Sequence, residues 1–238
     1  MNKYRNKWLI VFQVCSVVLL MMSAAISASA ETVAAAGSGK EPQTGRTDEV
    51  IPAPPVPERI RVTAPGSVPF FKGHGVGTQN YICKPTSPTT FGFVLFTPQA
   101  TLFTERDKQL TTHFFSPNPD EPNIDPNVIG DRQIRVTWEH SIDTSTIWAA
   151  LKVAATNATD PAFVAKDAVA WLLLDVVGYR NGPTGGDTLK PGSDHGFVQR
   201  VNTVGGLAPS TGCSSSSDVG HQAFVPYEAD YFFFTPGN

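Results

Sequence analysis

The amino-acid sequence predicts an all-β protein, a single antiparallel β-sandwich or jelly-roll-like domain with little helix. Three observations lead there. Short runs alternate apolar and polar residues at a period of two. Turn residues punctuate them throughout, with 20 Gly and 20 Pro in 238 residues. Helix is expected as little more than one short piece, started by Asp160-Pro161 with a capping side chain followed by proline.

Taken in order, the first 30 residues read as a targeting segment. Lys3, Arg5 and Lys7 give it a basic start, Trp8 to Met22 an apolar stretch, and Ala28 and Ala30 a small-residue cleavage motif. The apolar stretch is short against the ~20 residues that span a bilayer, so cleavage after Ala30 and export, to the periplasm or the medium, are expected. Residues 31–58 are rich in Ala, Gly, Ser, Pro and charge and read as a flexible leader, with the folded domain over 59–238.

Within that domain Ile60 and Val62 alternate with Arg59 and Arg61 as a short strand. Gly73-His74-Gly75-Val76-Gly77 reads as a glycine-rich turn feeding a strand in which Gly77, Gln79, Tyr81 and Cys83 share a face. It lacks the G-x-G-x-x-G spacing of a dinucleotide fingerprint, and no helix follows to receive a pyrophosphate. Further strands are expected at 91–96, 100–103 and 111–115, then a long polar loop over 116–130 interrupted by Pro117, Pro119, Pro122 and Pro126. Residues 132–139 alternate with Ile134, Val136 and Trp138 on one side, and 145–154 form the antiparallel partner. Val169 to Val177 is apolar but for Asp175, which fits a strand buried on both faces or a core helix, and the strand is preferred because its neighbours are strands. After a Gly/Pro/Asp loop, 196–205 and 225–234 complete the sheet, the last with Val225, Tyr227, Ala229, Tyr231 and Phe233 on one side. About ten short strands result.

Removing the targeting segment leaves 15 basic against 21 acidic residues, a formal charge of −6. With no basic stripe, nucleic acid and anionic lipid surfaces are poor partners, and no second apolar run is long enough to return the chain to a membrane. Cys83 and Cys213 are the two cysteines left in the mature chain. In an exported protein an isolated pair reads as one disulfide.

A set of residues resembles one family. Gly77-x-Gln79-x-Tyr81-x-Cys83, Pro98-x-Ala100-x-Leu102-Phe103, His113-Phe114, Trp138-Glu139 and Trp171-Leu-Leu-Leu174 are followed by Gln199-Arg200-Val201-Asn202-Thr203-x-Gly205-Gly206-x-Ala208-Pro209, Cys213 and Pro226-Tyr227-x-Ala229-x-Tyr231-x-Phe233. Together they are similar to DUF3455, exported bacterial and fungal proteins of unknown function. The likeness spans roughly 59–234. It departs from the family in the proline-rich insertion before Trp138-Glu139 and in Asp143-Thr144-Ser145 where the family has Asp-Gly-Ser. Some fungal relatives carry a malate dehydrogenase label. That activity would need a Rossmann unit, which this sequence does not encode, so no NAD-dependent dehydrogenase is expected.

For chemistry the sequence offers little. The five histidines, His74, His113, His140, His195 and His221, have no metal-ligand spacing, and no metal or cofactor is expected. Ser214 to Ser217 lacks a nucleophile elbow. Asp120, Glu121 and Asp125 lack the spacing of a calcium loop and read as a solvated acidic turn. Asn157-Ala-Thr159 is a glycosylation sequon, relevant in a eukaryotic host. Arg200 inside an apolar sheet would need a carboxylate such as Asp230 or Glu228. A ligand pocket, if present, is expected at His113, Trp138 and Glu139; the plainer arrangement makes Trp138 core, His113 a loop edge and Glu139 solvated. The leading expectation is a non-catalytic binding or envelope-associated module for an extracytoplasmic ligand. A secreted hydrolase using His113 and Glu139 as acid and base, and a structural or stress-associated envelope protein, are the alternatives.

Overall fold

A computed structural model describes residues 50–126, 130–192 and 195–238. The targeting segment lies outside the described residues. Eight strands account for the domain: β1 (Pro69–Pro85), β2 (Phe91–Phe103), β3 (Gln109–Pro122), β4 (Arg132–His140), β5 (Thr146–Ala155), β6 (Trp171–Arg180), β7 (Phe197–Gly205) and β8 (Gln222–Phe234). Each pairs antiparallel with its neighbours in sequence, and β8 returns to pair with β1 along its length, so the sheet closes into a barrel. This corrects the expected sandwich or jelly roll. Alternation demands one buried face per strand and is silent on whether a sheet splits in two or meets its own edge. Here the strands are long, 17 residues in β1, and bulges at Asn80/Tyr81, Trp148/Ala149, Leu151/Val153 and Val201/Val204 bend them enough to close. Closure leaves no unpaired edge.

Several local expectations change for the same reason. The Gly73–Gly77 run is strand, not turn. A Cβ at Gly75 would lie 2.8 Å from the Tyr231 ring and one at Gly77 2.1 Å from the Gln99 carbonyl oxygen, so the missing side chains let β8 and β2 approach. The segment read as a loop from 116 continues β3 to Pro122, held by Arg135 on Glu121 and by Arg180 on Asp120 at 2.6 Å. Asp160-Pro161 starts a turn, not a helix, and Glu58–Ile60 is a 3-10 turn where a strand was expected.

The inward alternation divides the barrel lengthwise. One end is solid: Phe71, Leu102, Leu110, Ile147, Leu189, Val198 and Phe233 are buried there, with Phe71 set edge-on to Phe233 at 5.1 Å. The connection after β6 caps this end through Asp143, whose carboxylate accepts from the N–H and hydroxyl of both Ser145 and Thr188. Burial alone would raise the Asp143 pKa, but those four donors hold it well below the usual carboxylate range.

A second apolar cluster lies outside the wall. Ile60, Val164, Trp171, Leu173, Val201, Phe232 and Phe234 form it, with Ile51 and Val56 packed against it, so residues 51–62 lie along the barrel surface. The buried Gln199 amide of β7 donates to the Ile60 carbonyl.

Candidate functional site

The other end of the barrel is open. Inward positions of β1 to β8, together with the 156–170 and 206–221 connections, enclose a cavity of about 680 Å³. Its walls are apolar at Leu95, Val136, Leu151, Leu172 and Leu174, and its floor is aromatic. His113 on β3 faces Trp138 on β4 in register, and their rings stack 4.4 Å apart and 11° from parallel. Tyr231 on β8 stands against both, at 5.2 Å from the imidazole and 5.6 Å from the indole.

The imidazole is 3% exposed. Its Nδ1–H donates to the Thr137 carbonyl at 3.0 Å, which fixes the tautomer and leaves Nε2 as an acceptor. Burial pushes the His113 pKa down to about 3, overriding that hydrogen bond, and Arg200 lowers it further, so the ring is neutral at ordinary pH.

Arg200 on β7 brings a charge to the cavity from within the sheet. It lies opposite Tyr231 and lines the cavity. Its Nε–H and one Nη2–H donate to the Ala170 carbonyl at 3.2 and 2.8 Å. The carboxylate expected from the sequence is not its partner: Asp230 and Glu228 belong to the outer face, where Asp230 binds His74 at 2.9 Å and Asn202 at 2.8 Å, and Glu228 lies 3.6 Å from His74. A tyrosine chain flanks the guanidinium. The Tyr227 and Tyr231 hydroxyls are 3.0 Å apart, and Tyr81 donates to the Gly206 carbonyl at 2.6 Å. Burial raises all three phenols out of reach of titration near neutrality. The Gln79 side chain is turned to the Tyr227 hydroxyl, and the buried Trp138 indole N–H has no acceptor among the described residues.

Of the three residues singled out from sequence, the structure brings His113 and Trp138 together inside the barrel and puts Glu139 on the opposite side of β4, between Thr112 and Thr146. The imidazole and that carboxylate therefore face different media. Arg200, Tyr231, Tyr81 and Gln79 were missed as site residues. Their signal was phase: Arg200 shares a strand face with Val198, and Tyr231 with Phe233, but nothing in a linear sequence says which strand face encloses a hollow. Asn157 of the sequon sits at the mouth, its side-chain nitrogen donating to the Val164 carbonyl at 2.7 Å. Among the described residues no cluster of His, Cys, Asp and Glu is arranged to hold a metal ion.

Fold and site together define a closed eight-stranded antiparallel barrel, solid at one end and hollow at the other. A family model, DUF3455, described as protein of unknown function, matches residues 64–235, and the chain belongs to that family. No curated protein and no solved structure gives a match. The Cys83–Cys213 disulfide is formed, joining β1 to the connection that leads into β8.

Proposed function

We propose that the protein is a non-catalytic binding module that holds a small, largely apolar molecule inside the barrel and works outside the cytoplasm. The single observation that carries this reading is the cavity of about 680 Å³, apolar along its walls and open at one end of an otherwise packed barrel. Its volume falls within the roughly 300–1,000 Å³ of ordinary small-molecule sites, which are likewise apolar with a few placed polar groups. The extracytoplasmic setting is supported by the targeting segment in the sequence and by the disulfide, which persists in oxidising compartments.

The test uses a neutral, environment-sensitive dye such as Nile red, titrated into the oxidised mature protein. Saturable one-to-one binding with a blue-shifted emission is expected. Leu172→Trp, which fills the cavity from its wall, is expected to abolish it, while Phe224→Ser, which removes an exposed apolar side chain from β8, leaves it intact. Absence of saturable binding, or binding lost with Phe224→Ser and kept with Leu172→Trp, would overturn the reading.

A further inference from the structure

We propose that the molecule held in the cavity is an amphipathic carboxylate, its head group seated on the Arg200 guanidinium and its apolar body along Leu95, Leu151 and Leu172. This rests on the cavity reading above and adds the ligand's charge and polarity to it.

Arg200 is half-buried, so its guanidinium gives up part of its hydration, and a charge so placed against apolar walls is ordinarily found paired with an anion. Arg200 has five N–H donors, and the Ala170 carbonyl takes two of them. The Tyr231 hydroxyl takes a further one, and that group is neutral. No Asp or Glu lines the cavity among the described residues, whereas a second cation, Lys166, stands at its mouth. The charge is felt across the whole floor: burial sets the proton affinities of Tyr81, His113, Tyr227 and Tyr231, and after burial Arg200 acts on all four.

The groups around Arg200 complete the description. Among the described residues the indole N–H of Trp138, which lines the same cavity, lacks an acceptor, while the Gln79 side chain is turned to the Tyr227 hydroxyl. Unmet donors around an uncompensated cation select an acceptor-rich anion and reject a cation. The guanidinium balances one negative charge, so a carboxylate suits it, while the second charge of a phosphate dianion would be left to Lys166, which is exposed to solvent. The apolar walls then select the rest of the molecule.

Arg200 also has a structural use, since its bonds to Ala170 tie the mouth connection to β7. The experiment separates the two roles by comparing ligands instead of relying on loss of binding. Displacement of Nile red is measured with tetradecanoate, methyl tetradecanoate and tetradecyltrimethylammonium, which share one chain length. The wild-type protein is expected to prefer the acid over its ester by at least about tenfold, the increment of one charge-assisted hydrogen bond, with the cation weakest. In Arg200→Gln the preference of acid over ester is expected to collapse to within about twofold, and in Arg200→Lys part of it returns. If Arg200→Gln does not fold, the order of the three ligands on the wild-type protein decides alone. Equal displacement by acid and ester, or a preference for the cation, with dye binding intact, would overturn this inference and leave the cavity reading standing. Failure of the dye to bind at all would remove both.

Discussion

The imidazole of His113 lies flat on the indole of Trp138, two rings from adjacent strands stacked 4.4 Å apart at the centre of the barrel. The imidazole is kept neutral because burial leaves little solvent to spread a charge there, and Arg200 adds to the penalty. Folding therefore carries a cost in acid. The unfolded chain takes up this proton near the ordinary histidine pKa, and the folded chain does so only near 3.

Stability should accordingly fall as pH drops from about 6.5 toward 3, because the unfolded state binds one more proton over that window. The slope attributable to this group is at most about 1.4 kcal/mol per pH unit. Between pH 6.5 and 5, above the range where most carboxylates titrate, urea denaturation of wild type should show a steeper loss than His113→Gln. Parallel profiles for the two proteins would refute the assignment.

Gly75 and Gly77 should respond differently to alanine. At Gly75 the new methyl meets the edge of the Tyr231 ring, which can tilt, and a cost of about 1–3 kcal/mol is expected. At Gly77 it meets the backbone carbonyl of Gln99 on β2, which cannot retreat without parting the ladder. Gly77→Ala should therefore lower the melting temperature more than Gly75→Ala. The opposite order in paired thermal melts would contradict the packing described for β1.

The residues outside the wall should matter as much as those inside. Ile60 is fully buried, its turn packed against β5 and β6, although it precedes the first strand, and Ile60→Ala is expected to cost about 2–5 kcal/mol. Chemical denaturation measures it. A loss below 0.5 kcal/mol, of order kT, would mean that the 51–62 segment is not held as described.

Converting both Cys83 and Cys213 to serine should destabilise the barrel by about 2–4 kcal/mol, since the bridge closes a loop spanning 130 positions. Denaturation midpoints of the oxidised protein and the double variant give the comparison, and coincident curves would show that the link does not restrict the unfolded chain.

These residues also show how much of the molecule was legible beforehand. Period-two alternation placed β4, β5, β7 and β8 and gave the inward row from Tyr227 through Tyr231 to Phe233, because side-chain phase is a local property. The disulfide was legible because two cysteines allow one pairing. Closure was not, since it depends on β1 meeting β8 across most of the chain, a relationship no local pattern encodes. Prolines hid the length of β3: Pro117 and Pro122 cannot donate to a ladder, yet both lie in its outer extension, where fewer ladder bonds are required. Arg200 was expected to demand a carboxylate because a buried charge is costly, and the barrel instead satisfies it in part with a carbonyl and leaves the remainder facing a hollow.

Every strand neighbours the next one along the chain except at a single place, the junction of β1 with β8, and the sulfur bridge crosses beside that junction. Oxidation thus turns the polypeptide between Cys83 and Cys213 into a covalent hoop. A protease that severed any one of the connections within it would produce two ends but not two molecules, and the nicked barrel would still travel as a single piece.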